Sequence, residues 1–136
     1  NRRGQTVRVA AGEPLPLQQD ELRITGHAIE ARICAENPDN NFLPATGQLA
    51  VYGLPDCVAF ERGAVRVDSG VRQGDAISPF YDSMVAKLIA HGRDRNDAIR
   101  RLMAALDDAP LLGLRHNARF LRDLLDHPAF REARMH

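Results

Sequence analysis

"GHAIEARICAEN", residues 26–37, alternates so cleanly that its reading governs the rest of the chain. Ile29, Ala31, Ile33 and Ala35 fall on one side, and Glu30, Arg32, Cys34 and Glu36 on the other. That period of two belongs to a strand with one buried face and one presented face. Two readings of the presented face compete. It is a solvated surface laced with charge pairs, or it fixes a cation, Arg32, on a rigid scaffold and points it at something negative. Periodicity alone favours the first.

Working outward, "VRVAAGEPLPL" upstream reads as the last turn of a helix, with Gly12 as its C-terminal cap and Pro14 and Pro16 forbidding continuation. Downstream, "ENPDNNFLPATGQ" is dense in Asn, Pro and Gly and reads as an ordered loop. "QLAVYGL" and "VRVDSG" read as short strands, "PDC" as a turn and "VRQGDAISP" as a loop broken by Gly74 and Pro79. "YDSMVAKLIAHG" alternates as a strand and stops at Gly92. Asp94 is the expected N-cap of the helix "RNDAIRRLMAALDD", whose apolar stripe is Ala98, Ile99, Leu102, Met103 and Leu106. After a brief extended "PLLGL", a second helix, "NARFLRDLLDH", turns Leu121, Leu124 and Leu125 inward and ends at Pro128. Strands come first and helices last, without strand–helix alternation. The expectation is an α+β domain with a mostly antiparallel sheet and two C-terminal helices.

The composition narrows the function classes. The chain has 136 residues, about one domain, with Lys plus Arg balanced against Asp plus Glu at 18 each. Balanced charge, sparse aromatics and no Trp argue against a nucleic-acid surface, and no apolar run is long enough to cross a bilayer. Cys34 and Cys57 have no metal-ligand spacing and are read as reduced thiols, which suggests the cytoplasm. There is no phosphate-binding glycine loop, no nucleophile elbow and no histidine pair at ligand spacing. His91 and His127 read as element ends.

Beside Arg32, one other residue stands out. In "FYDSMVAKL", strand alternation places Asp82 on the face of Met84, Ala86, Leu88 and Ala90. It is a strand-entry aspartate at the solvent edge, or a carboxylate held in a partly buried place by a cationic partner, because an unpaired buried charge is costly.

The segments "GHAIEARICAENPDNNFLPATGQL", "VRVDSGVRQGD" and "FYDSMVAKLIAHGRDRNDAIRRLMAAL", continued by "GLRHNARFLRDLLDHPAF", closely resemble the C-terminal domain of biotin carboxylase from biotin-dependent carboxylases. The likeness runs from Val7 to Phe130. "DSGVRQGDAISPF" is closer in wording to the α subunits of acyl-CoA carboxylases than to stand-alone components. The resemblance implies that residues 1–136 are one excised domain of a ligase, with the ATP-grasp and biotin carrier domains elsewhere in the parent. In such enzymes bicarbonate and MgATP give carboxyphosphate, which releases carbon dioxide to a ureido nitrogen of biotin on the carrier domain.

Residue by residue, the resemblance puts Arg32 beside the biotin ureido oxygen as the catalytic cation, and Asp82 in the biotin pocket. Glu30 and Glu36 are candidates to orient Arg32 from its own strand. Arg66 matches a residue at the subunit interface of dimeric members, while Gly63 stands where those dimers carry an aromatic. The implied cofactors are biotin on the carrier and MgATP, whose site the resemblance places outside this stretch. The implied partners are the parent's ATP-grasp domain, the carrier domain, a carboxyltransferase subunit and a second copy in a homodimer. Neither nucleic acid nor membrane is expected. The chemistry suits a guanidinium: negative charge builds on the ureido oxygen, and a planar, permanently charged fork can bridge two oxygens. By itself the chain is expected to be inactive. The competing reading is a non-catalytic subunit-contact module. Proximity of Asp82 to Arg32, close enough to pair, is a further expectation.

Overall fold

In the computed structural model, which describes residues 2–53, 63–80 and 82–135, β1 (His27–Cys34) runs antiparallel to β8 (Met84–Gly92). On the other side of β8 lies β6 (Val65–Ser69), giving a three-stranded antiparallel sheet in the order β1-β8-β6. The alternation read from residues 26–37 is the alternation observed. Ala31, Ile33 and Ala35 are buried, while Glu30 and Arg32 are exposed. Three two-stranded ribbons flank this sheet. They pair β2 (Glu36–Asn37) with β3 (Leu43–Pro44), β4 (Gly47–Gln48) with β7 (Ala76–Ile77), and β5 (Val51–Tyr52) with β9 (Leu111–Leu112). Every described pairing is antiparallel, so the fold is α+β as the sequence suggests.

The apolar face of the sheet is covered by α2 (Arg95–Asp107). Ile33 and Leu88 from the sheet and Ile99 and Leu102 from the helix are fully buried there. Gly92 makes the approach possible: a Cβ at that position would lie 2.4 Å from the Ala98 nitrogen. Asp94 caps the helix as expected, its Oδ1 accepting from the Asp97 N–H at 2.8 Å. Two further helices follow, α3 (Ala118–Asp126) and the single-turn α4 (Pro128–Arg131). Arg95 ties α4 back to the N-terminus of α2. Its Nη2 donates to the Phe130 carbonyl at 2.6 Å, and its guanidinium lies 4.6 Å from the centre of the Phe130 ring.

Several local expectations change. "QLAVYGL" is not one strand, because Gln48 pairs with β7 while Val51 and Tyr52 pair with β9, leaving buried Leu49 at the switch. The loop around Gly74 contains β7, and the Asn-rich loop contains a β2–β3 ribbon closed through a 3₁₀ turn at Pro38–Asn40. On α3, Leu125 is buried and Leu121 packs against the core, but Leu124 is 38% exposed. Pro128 ends one helix and begins the next. At the other end of the chain, α1 (Arg2–Ala10) ends at Gly12, whose φ of 91° is the left-handed cap expected there. Cys57 and Tyr81 lie outside the described residues.

Candidate functional site

The face of the sheet turned away from α2 carries charge in register. Arg32, Lys87 and Asp68 form one cross-strand row, and Glu30, Ile89 and Arg66 form the next. Two cations, Arg32 and Lys87, therefore stand directly opposite each other, which is unfavourable unless an anion bridges them. Glu30 supplies it. Its Oε1 accepts from Arg32 Nε at 2.7 Å, and its Oε2 lies 3.7 Å from Lys87 Nζ. The Arg32 hydrogen bond, aided by Lys87, holds the Glu30 carboxyl below the usual carboxylate range, and the same bond raises the Arg32 guanidinium further. Among the described residues nothing pairs with the two Nη groups of Arg32, whose side chain is 68% exposed. A permanently charged, planar edge is thus presented outward from a strand.

The backbone beneath Arg32 is clamped from a distant part of the chain. Asn117, at the start of α3, is 7% exposed and spends both polar ends on β1. Its Oδ1 accepts from the Cys34 N–H at 2.8 Å, and its Nδ2 donates to the Arg32 carbonyl at 3.1 Å. The register of β1 with β8 shifts between Ile33 and Cys34, so Ile33 faces Ala86 while Cys34 faces Met84. This bulge leaves Val85 without a direct partner on β1 and reverses the alternation at the start of β8.

That reversal relocates Asp82. The aspartate does not lead the apolar row with Ala86, Leu88 and Ala90: it precedes β8, is exposed, and accepts from the Met84 N–H at 2.9 Å. Met84 itself is 40% exposed. The bulge turns this end of the strand toward the Arg32 side, where the Asp82 charge is felt by both Arg32 and Cys34. Within ion-pairing distance of Arg32, however, the described carboxylate is Glu30, so Asp82 acts on it only as a longer-range field. Glu36 takes a different partner again, its Oε1 accepting from Ser83 Oγ at 2.9 Å. Cys34 carries a free thiol between these groups, pushed up by burial and then by the Glu36 charge. Arg66 forms a bidentate fork with Asp68, Nε to Oδ1 at 2.9 Å and Nη2 to Oδ2 at 2.6 Å, and Gly63 nearby in sequence is exposed.

The structure thus brings Arg32 and Glu30 into contact, keeps Asp82 on their side without a direct contact, and joins Glu36 to Ser83. Sequence reasoning missed Lys87 and Asn117. Lys87 is visible in "MVAKLIAHG" as a cation out of phase with the buried row. Asn117 gives no such sign, since it looks like an ordinary helix start. Among the described residues no group of three or more His, Cys, Asp or Glu side chains converges as a metal ion would require. No described helix is long and apolar enough to cross a membrane.

Comparison with known proteins assigns the family. The family model for the biotin carboxylase C-terminal domain matches residues 30–136. The chain is 47% identical over 124 residues to the mitochondrial methylcrotonoyl-CoA carboxylase subunit alpha of Dictyostelium discoideum, covering 91% of this chain and 17% of that protein. It is 44% identical over 130 residues to the Mus musculus counterpart, covering 96% and 18%. Among solved structures, the bicarbonate-bound biotin carboxylase domain of a thermophilic 2-oxoglutarate carboxylase superposes with a TM-score of 0.86 at 32% identity, over 95% of this chain and 28% of that one. The Kluyveromyces lactis urea carboxylase gives 0.84 at 35%, over 99% and 11%. The chain spans less than a fifth of the length of those two curated relatives. It belongs to the biotin carboxylase C-terminal domain family.

Proposed function

We propose that this domain supplies the ureido-oxygen side of a biotin carboxylase active site, with Arg32 as its catalytic cation. The observation that carries the reading is the pose of Arg32: Nε is anchored on Glu30 while both Nη groups face outward. Biotin, when presented by its carrier, provides the ureido nitrogen that accepts carbon dioxide. Arg32 meets the negative charge that develops on the neighbouring oxygen, and it does so preorganised, because a strand and a carboxylate already hold it. Asp82 borders the same pocket and adds negative potential beside the guanidinium. Glu30 orients Arg32 directly, and Glu36 orients the pocket wall through Ser83.

The rest of the enzyme is assigned to other parts of the parent. Residues 1–136 are read as one domain, MgATP and bicarbonate as ligands of an ATP-grasp domain, and the carrier domain and a carboxyltransferase subunit as partners. The Arg66–Asp68 fork is the candidate contact for a second copy. Identity to two methylcrotonoyl-CoA carboxylase subunits favours an acyl-CoA as the eventual acceptor. A free Cys34 thiol suits a reducing compartment, the cytoplasm in our reading.

The test is biotin-dependent ATP cleavage by the full-length parent at saturating biotin. Arg32→Gln is expected to lower turnover by roughly 10²–10³, the scale of losing one preorganised donor to an oxyanion. Arg32→Lys should recover only part, because a point charge does not reproduce the fork. Unchanged turnover in Arg32→Gln would leave the subunit-contact reading in its place.

A further inference from the structure

The polar face contains the same local pairing twice, with different outcomes. Arg66 and Asp68 lie two residues apart on β6, and Arg32 and Glu30 lie two apart on β1. Asp68 closes on Arg66 through both oxygens, to Nε and Nη2. Glu30 reaches Arg32 through one oxygen only, at Nε. Its other oxygen is turned to Lys87, which faces Arg32 directly across the strands.

A carboxylate beside a guanidinium gains most by closing on two N–H groups at once, as Asp68 does. Had Glu30 done the same, it would cover one of the Nη groups on which the proposed function depends. A second cation on the far side of the carboxylate opposes that closure. We propose that Lys87 is a positioning residue for Arg32: it holds Oε2 of Glu30, keeps the carboxylate on Nε alone, and leaves the outer edge of the guanidinium open to an anionic or carbonyl oxygen. The Lys87–Glu30 contact is long and half-exposed, so its worth to folding is small and its worth lies in orientation. This inference rests on the assignment of Arg32 as the catalytic cation.

The test is a double-mutant cycle in the full-length parent, with free biotin as substrate and kcat and KM measured separately. Lys87→Met should lower kcat about tenfold, the scale of coupling between contacting charged residues, with the KM for MgATP unchanged. Lys87→Arg should restore most of the loss. In a Glu30→Gln background, which has no carboxylate to restrain, Lys87→Met should add less than about twofold. Additive losses, a normal kcat in Lys87→Met, or failure of Lys87→Arg to rescue would each overturn the proposal. Should Lys87→Met not fold, Lys87→Gln takes its place in the cycle with the same expected outcomes. Arg32→Gln run in parallel separates the two readings. Retained turnover removes both, whereas lost turnover with an additive Lys87–Glu30 cycle removes only the role of Lys87.

Discussion

Asn117 shows how one buried side chain fixes the site residue from across the chain. It is 7% exposed, and its amide meets the Cys34 N–H and the Arg32 carbonyl, the backbone groups on either side of the β1 bulge. Asn117→Ala leaves both groups unsatisfied in a partly buried place, and an unsatisfied buried donor or acceptor costs about 1–3 kcal/mol. Chemical denaturation should therefore show a loss of about 2–4 kcal/mol. Asn117→Asp should do no better, because a carboxylate oxygen would face the Arg32 carbonyl where the Nδ2 donor now stands. A loss below about 0.5 kcal/mol in both variants would show that the clamp is idle. Nothing in "GLRHNAR" announces this. An Asn before a helix reads as a cap, and here the cap position is filled while the side chain serves another strand. Arg32 was readable for the opposite reason, since strict alternation along one strand is a local property. Asp82 was misplaced because a bulge depends on the partner strand as much as on its own residues.

At the level of elements, the turn from β8 into α2 is where the sheet and its covering helix are locked, and most of it could be read from sequence. Gly92, Asp94 and the stripe through Ile99 and Leu102 all behave as their residue types suggest. Asp97 does not. An acidic residue in the first turn ordinarily faces water, yet Asp97 is 3% exposed, with Arg93, Arg100 and Arg101 gathered around it. Its burial follows from the close seating of the helix N-terminus at Gly92, a tertiary fact with no periodic trace. The hydrogen bond from the Arg93 N–H, followed by the Arg101 contact, brings its carboxyl down to about 2 from an ordinary 3.8. A depressed carboxyl stabilises the fold above its unfolded value and loses that contribution as pH falls through its folded value. The stability Asp97 supplies is thus complete above pH 3.8 and lost between there and about 2. Asp97→Asn should lower the Tm at pH 7, and the gap to wild type should close as pH approaches 2. A constant gap across that window would assign the loss to packing instead of charge.

Across the whole molecule, burial is divided very unevenly. Every described side chain from residue 5 to residue 26 is exposed, while the largest fully buried side chains begin at Ile33 and lie in the sheet and α2, with Leu49 between β4 and β5. The exposed stretch is not polar: Val7 is 69% exposed, Leu15 66%, Leu17 52%, Leu22 51% and Ile24 100%. At its end the link to the sheet is a 2.7 Å hydrogen bond between His91 Nε2 and the Thr25 carbonyl, beside Gly26. A segment with so few buried contacts opens locally at almost no cost, whereas cleavage inside α2 requires the core to unfold. Limited trypsinolysis of the 136-residue chain should therefore cut after Arg8 and Arg23 at least about tenfold faster than after Arg100 or Arg101. The remaining core should keep its denaturation midpoint, because the lost residues contribute no buried side chain. Equal rates at all four arginines, read by mass spectrometry, would show that the arm and the core share one cooperative unit. In the full-length parent the difference should disappear. Apolar side chains this exposed need cover, and under the domain assignment proposed above the neighbouring part of the parent provides it, so both early sites should become resistant while the folded core gains nothing.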